Sequence, residues 1–222
     1  MSLIPAGRRI EAVLFDLDGT LIRSEDRTDA AVLALLAEQG IDRPSGFDLS
    51  HFHGVTWAAT VRSLVERWPV LDGVDVAAAL QRYFHQTFVA DPPMTMPGAL
   101  EAVAAASAAL PVAIVTSSNR ETLALVCEQL QLTGRVAATV CAEDCRESKP
   151  SPEPFALAAE RLGVAPERCL IFEDSAAGVR AGVAVGAVVI AVGPESGHEP
   201  WIADFEALPA DLFAPRAGDD HG

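Results

Sequence analysis

The chain has 222 residues, 50% of them hydrophobic, and a formal net charge of −15 from 31 acidic and 16 basic side chains. That length and apolar content suit one α/β domain, or a compact domain with a smaller insert, and exclude a disordered chain. The acidic balance repels phosphodiester backbones and anionic lipid heads and no basic run counters it, so no nucleic-acid or membrane partner is expected.

The N-terminal stretch carries Arg8 and Arg9 but no apolar run before Glu11. No secretory signal is expected from this pattern, and a cytoplasmic protein is expected. Arg9 to Leu14 leads into Phe15 with apolar residues nearly throughout, the pattern of a short strand buried on both faces. Asp16-Leu17-Asp18-Gly19-Thr20 stops it. From Thr28 to Gln39, apolar residues recur at helical spacing (Ala31, Leu35, Leu36), and Gly40 supplies the stop. Two more helical stretches, near 56–68 and 74–89, precede the breaker Asp91-Pro92-Pro93. Residues 23–91 thus read as all-helical.

After Pro97-Gly98 the pattern changes. Helices predicted over 99–109, 121–131, 154–162 and 176–185 alternate with short apolar strands over 111–115, 136–141, 168–172 and 187–192. Such alternation specifies a parallel sheet with helices on both faces. Cys127, Cys141, Cys145 and Cys169 are too sparse for a disulfide framework and read as reduced thiols, mostly buried. The spacing of Cys141 to Cys145 lacks the second ligand pair that a zinc site needs. The tail from Ala214 reads as frayed.

In parallel sheets, ligands gather at the carboxyl ends of the strands. There the first strand presents Asp16 and Asp18, and the second Thr116, Ser117, Ser118 and Asn119. Ser148-Lys149-Pro150 follows the third, and the fourth ends in Glu173-Asp174. Four carboxylates in one cleft repel one another unless some protonate or a cation holds them. A hard divalent ion with oxygen ligands, Mg²⁺, answers that need. A lysine and a hydroxyl beside it supply the fixed charge and donors that a phosphoryl group requires. One carboxylate can then attack phosphorus while a second, two residues on, serves as acid and base.

An isolated Asp-x-Asp after a strand is ordinarily a solvated turn, and a lone Lys-Pro a surface loop. Their occurrence in one order with Glu173-Asp174 reverses both readings. Lys149 is also the chain's single lysine, the other fifteen basic residues being arginine. A compact ammonium fits between a carboxylate and a phosphoryl oxygen where a planar guanidinium fits poorly.

Asp16-Leu17-Asp18-Gly19-Thr20, Thr116, Lys149-Pro150 and Glu173-Asp174, in that order, resemble the four motifs of the haloacid dehalogenase-like phosphohydrolases. Lys149 to Phe155 and Phe172 to Val179 are similar to the subgroup holding β-phosphoglucomutase and small sugar-phosphate phosphatases. The resemblance implies a Rossmann-like core of residues 1–22 and 92–222, with a small all-helical cap over 23–91. It implies Asp16 as nucleophile and Mg²⁺ ligand, and Asp18 as acid/base that binds the metal through its backbone carbonyl. Thr116, the Ser117 amide and Lys149 would hold the phosphoryl group. Asp174 would ligate the metal, with Glu173 helping directly or through water, and Thr20 would orient the motif loop. The implied substrate is a small phosphomonoester.

Substrate choice in this family lies with the cap. His51-Phe52-His53-Gly54 with Thr60-Val61-Arg62 is similar to a segment of sugar- and glycerol-phosphate phosphatases, which makes His53 and Arg62 candidates to face substrate. Asn119 and Ser118 are further candidates near the leaving group, whereas Trp57 and Trp68 read as cap packing. The nearest competing activity is a β-phosphoglucomutase-like phosphomutase, whose cap uses a histidine, aligned with Thr28 here, and a lysine. The cap has no lysine. That favours hydrolysis and also removes a phosphonatase, which needs a cap amine. The second aspartate of the first motif disfavours a metal-free dehalogenase, and Arg23 replaces the usual aspartate of the subgroup. A phosphate-accepting signalling receiver uses similar groups. It is about half this length, lacks a cap and carries its phosphorylated aspartate on a later strand.

Overall fold

In the computed structural model, which describes residues 3–42, 46–53 and 55–213, the run Ala12–Phe15 forms the central strand β1. Gly54 and the tail from Ala214 lie outside the described residues. Val13 and Phe15 face one hydrophobic cluster and Ala12 and Leu14 the other, as the two-residue period of a strand requires. β4 (Val112–Val115), β5 (Ala138–Val140), β6 (Cys169–Glu173) and β7 (Val188–Val192) repeat that alternation. With β8 (Trp201–Ile202) they form a parallel sheet in the order β5-β4-β1-β6-β7-β8. Phe15 of β1 stacks on its register partner Phe172 of β6, with centroids 5.1 Å apart. Full burial of a phenylalanine is worth about 1.5–3 kcal/mol, so this pair ties β1 to β6 directly behind the site.

From β1 the chain moves outward to β4 and β5, then crosses to β6 on the opposite side of β1. The strand order thus reverses at β1, where a crevice opens at the carboxyl ends. Helices α4 (Ala99–Ala109) and α5 (Arg120–Gln129) pack on the first face, and α6 (Glu153–Leu162) and α7 (Ala176–Ala184) on the second. Side-chain caps start several of these helices: Asn119 accepts from Thr122 N–H at 2.8 Å, and Ser175 from Gly178 N–H at 3.0 Å.

The two-residue strands β2 (Ile22–Arg23) and β3 (Met94–Thr95) pair antiparallel where the chain leaves the sheet layer and returns. Between them lie α1 (Glu25–Glu38), α2 (Trp57–Arg67) and α3 (Val76–Ala90). Leu35, Leu36, Leu64, Leu80, Phe84 and Phe88 are buried and continuous with the first core cluster. Gln129 Nε2 on α5 donates to Phe88 O on α3 at 2.8 Å.

β2, β3 and β8 were not predicted, because two residues are too few to show a period. α1 begins at Glu25, ahead of the predicted Thr28; Glu25 and Asp26 suit the positive end of the helix dipole. The strand expected over 136–141 is confined to Ala138–Val140. All four cysteines are free, Cys141 and Cys169 buried and the other two half-buried. Among the described residues, no helix is long and apolar enough to cross a membrane.

Candidate active site

β1, β4 and β6 are adjacent, so the residues at their carboxyl ends meet. Asp16 N–H donates to Phe172 O at 3.0 Å, which keeps Asp16 in register after β1. Lys149 reaches the same point from the loop before α6, and both side chains are buried. Its Nζ donates to Asp16 Oδ1 at 2.5 Å, Glu173 Oε1 at 2.8 Å and Val115 O at 2.9 Å. Each ammonium hydrogen thus has an acceptor.

The other oxygen of Glu173, Oε2, accepts from Ser175 N–H at 2.7 Å and Ser175 Oγ at 3.0 Å. Gly178 makes room for this carboxylate, since a Cβ there would lie 1.7 Å from Glu173 Oε1. Gly19 plays the same part for Asp174. Its φ is +85°, and a Cβ would come within 2.3 Å of Asp174 Oδ2. Thr20 Oγ1 donates to Asp174 Oδ1 at 3.0 Å, so this residue holds a carboxylate of the site as well as shaping its own loop.

Asp18 Oδ2 accepts from Thr116 Oγ1 at 3.0 Å and Ser118 Oγ at 2.8 Å. Among the described residues, Asp16 Oδ2 and Asp18 Oδ1 are buried with no hydrogen-bond partner. Two unsatisfied carboxylate oxygens in one crevice are the exception in a folded chain and mark where chemistry or an ion is accommodated. Asp16, Glu173 and Asp174 also offer oxygens within 4.8 Å of one another. Such an all-oxygen set fits a hard divalent cation. The Asp18 side chain is outside that trio.

Burial pushes the Asp16 carboxyl up to about 7 from an ordinary 3.8; Lys149 pulls it down, and Glu173 and Asp18 push it up further. Burial likewise raises Asp18, against hydrogen bonds from Ser118 and Thr116. Asp174 is raised well above the ordinary value by burial and then by Glu173 and Asp16. Burial disfavours the Lys149 ammonium, but Asp16 and Glu173 outweigh it and keep the group protonated. The floor is therefore an excess of negative charge around one fixed cation.

Above the floor the cleft encloses about 740 Å³, counting the solvent space at its mouth. The predicted residues Asp16, Asp18, Thr116, Ser117, Ser118, Lys149, Glu173 and Asp174 line it, and His53 joins them from the helical side. His53 Nε2 is engaged by Asp29 Oδ1 at 2.8 Å. Two expectations need correction. Arg62 is exposed on α2 and does not line the cleft, because the helix turns Thr60 inward and Arg62 out. Asn119 is absent from the lining too: its side-chain oxygen caps α5.

Trp57 does pack, edge-on against Phe84 at 5.2 Å, but both rings also form cleft wall. Thr28, where the resemblance places a mutase histidine, lines the cleft as well. Ser24, Glu25 and Asp29 were missed. The first two border the cleft at the start of α1 and the third holds His53. A helix start earlier by one turn, signalled by the acidic pair Glu25-Asp26, would have exposed the first two.

A family model described as haloacid dehalogenase-like hydrolase matches residues 10–186. Hexitol phosphatase A of Escherichia coli strain K12 is 32% identical over 188 residues, covering 83% of this chain and 83% of that protein. Phosphoglycolate phosphatase of Escherichia coli O157:H7 is 30% identical over 203 residues, covering 80% and 79% respectively. CbbY from Rhodobacter sphaeroides, solved in complex with phosphate, shares the fold with a TM-score of 0.73 at 22% identity, over 89% of this chain and 96% of that one.

Proposed function

Since the chain belongs to the haloacid dehalogenase-like hydrolases and is a phosphoric monoester hydrolase, we propose that it hydrolyses sugar or polyol phosphates through an aspartyl-phosphate on Asp16. The observation that carries this is the division of labour within one carboxylate. Oδ1 of Asp16, a residue that lines the crevice, is held by Lys149, while Oδ2 is buried and unpartnered among the described residues.

Asp16 and Asp174 would hold Mg²⁺, with Glu173 behind them fixing Lys149 and Ser175. When bound, the ion offsets the repulsion among the carboxylates and the charge of the phosphoryl oxygens. In the first displacement Asp16 Oδ2 attacks phosphorus, and the bond from phosphorus to the alkoxy oxygen breaks. Asp18, whose carboxyl burial shifts toward the protonated form, gives a proton to the departing oxygen through Oδ1 in this reading. Thr116 and Ser118 hold the other oxygen of Asp18, which aims Oδ1. In the second displacement Asp18 takes a proton from water, that water attacks phosphorus, and Asp16 leaves as carboxylate with release of inorganic phosphate. Lys149, bound to Oδ1, favours the carboxylate form of Asp16 before attack and as it leaves, and keeps that oxygen oriented.

Residues 23–91 act in this reading as a cap that excludes bulk water during the first displacement. Thr28 has no titratable group where a mutase histidine would stand, which supports hydrolysis over phosphoryl return to a second hydroxyl. The test is phosphate release with Mg²⁺ from a panel of hexose, pentose and polyol phosphates. Asp16→Asn should be inactive with an unchanged circular dichroism spectrum. Release by that variant at the wild-type rate would refute the nucleophile, and a silent panel would refute the substrate class.

A further inference from the structure

The charges that line the cleft are one-sided. Among the described residues, Asp16, Asp18, Glu25, Glu173 and Asp174 face a single cation, Lys149, whose hydrogens are all engaged on the floor. Four of these carboxylates belong to the reaction centre. Glu25 does not. It stands in the first turn of α1 and lines the cleft half-buried, and among the described residues its carboxylate has neither a hydrogen bond nor an ion pair.

Among the described residues, nothing on that wall compensates Glu25. Ser24, Thr28, Thr56 and Thr60 offer hydroxyls, and Trp57 and Phe84 offer apolar surface. His53 Nε2 is taken up by Asp29 Oδ1 at 2.8 Å. Arg62 points to solvent. A bound divalent ion and the transferring phosphoryl group cancel one another's charge, which leaves the wall as negative as before.

On this basis, and resting on the phosphatase reading above, we propose that the cleft selects phosphomonoesters whose leaving group carries no second anionic group, and that Glu25 determines this selectivity. A carboxylate or second phosphate on the leaving group would be desolvated beside Glu25 with no cation to meet it, an arrangement that discriminates through an unpaired charge. The hydroxyls of a neutral polyol, in contrast, can donate to Glu25 and to the hydroxyl oxygens of Thr28 and Thr60, whose own hydrogens go to Ser24 O and Thr56 O. Hexitol phosphatase A and phosphoglycolate phosphatase match this chain about equally well. The charge on the cleft wall separates what their names leave level.

The experiment compares kcat/KM for a hexitol phosphate with that for phosphoglycolate and for a hexose bisphosphate in wild type, Glu25→Gln, Glu25→Lys and Asp26→Asn. Wild type should prefer the neutral ester by about tenfold or more, equivalent to about 1.4 kcal/mol. Glu25→Gln should shrink that ratio several-fold, and Glu25→Lys should shrink it further or reverse it. Asp26→Asn removes an equal charge from the same helical turn outside the cleft and should leave the ratio alone. Wild type turning over phosphoglycolate as well as the hexitol phosphate would overturn the inference while leaving the phosphatase intact. So would a Glu25→Gln variant with both values lowered equally. Absence of phosphate release from every ester would instead refute the function on which the inference rests.

Discussion

Replacing Lys149 by arginine keeps the charge and alters only its shape, so Lys149→Arg tests whether the geometry around that nitrogen matters. Three acceptors surround Nζ: Asp16 Oδ1 at 2.5 Å, Glu173 Oε1 at 2.8 Å and Val115 O at 2.9 Å. They are disposed for a tetrahedral ammonium, whereas one edge of a planar guanidinium meets two. The bond left unmade involves a charged group and is worth about 1.5–3 kcal/mol. The lysine side chain is 4% exposed and lies 4.9 Å from the Phe155 ring centroid, so a larger head must displace its neighbours. Overpacking of that kind costs about 1–3 kcal/mol.

The two effects together come to about 2.5–6 kcal/mol, which for a chain of this size lowers the melting temperature by on the order of 10 °C. Asp16 would also be misaligned, and loss of one preorganised electrostatic contact lowers turnover by about 10²–10³-fold. Thermal denaturation and phosphate release measured on the same preparation check both quantities. An arginine variant indistinguishable from wild type in the two assays would show that only the charge at position 149 matters.

Asp18→Asn leaves an acceptor for Thr116 and Ser118 but no exchangeable carboxyl proton, so turnover should fall by about 10²–10⁴-fold while the melting temperature holds; an undiminished steady-state rate would remove Asp18 from proton transfer. Gly178→Ala places a Cβ where Glu173 Oε1 now lies and forces that carboxylate off Lys149. Breaking a buried ion pair costs about 3–5 kcal/mol, more than the roughly 1 kcal/mol that alanine gains over glycine in a helix. A urea midpoint at or above the wild-type value would contradict the packing described. Finally, Asp16 has a pKa of about 7 folded against 3.8 ordinarily. Between these values the folded chain holds a proton that the unfolded chain has released, so the stability of chelator-treated protein falls as pH rises through that window. Asp18 and Asp174, also raised, act in the same direction. Excess Mg²⁺ should flatten the slope, and equal denaturation midpoints near pH 5 and pH 8 in chelator would disprove it.

Much of the floor of the site was legible because its chemistry is local. Asp16-Leu17-Asp18 and Glu173-Asp174 each follow a short apolar run, and a buried strand delivers whatever follows it to the carboxyl edge of the sheet. Residues that depend on helix phase or on competing uses of one side chain were harder to read. Arg62 has the right chemistry for an anion, but α2 turns it outward. Asn119 has the right position for a leaving group, but its oxygen is engaged by Thr122 N–H. Glu25 lies ahead of the helix expected from Thr28 and drew no reading, yet it borders the cleft, since α1 begins at it.

The sequence by itself determined the alternation of strands and helices, the helical segment after the first motif and the phosphatase class, and it singled out the one lysine. Those follow from periodicity, breakers and the kinds of functional group present, all of which act over a few residues. Only the tertiary structure decided that Lys149 joins Asp16 to Glu173, that Gly178 makes room for that joint, and that one oxygen of Asp16 and one of Asp18 remain free. Positions 133 residues apart meet at one nitrogen, and which lone pairs stay unsatisfied depends on distances of a few tenths of an ångström that no local pattern encodes.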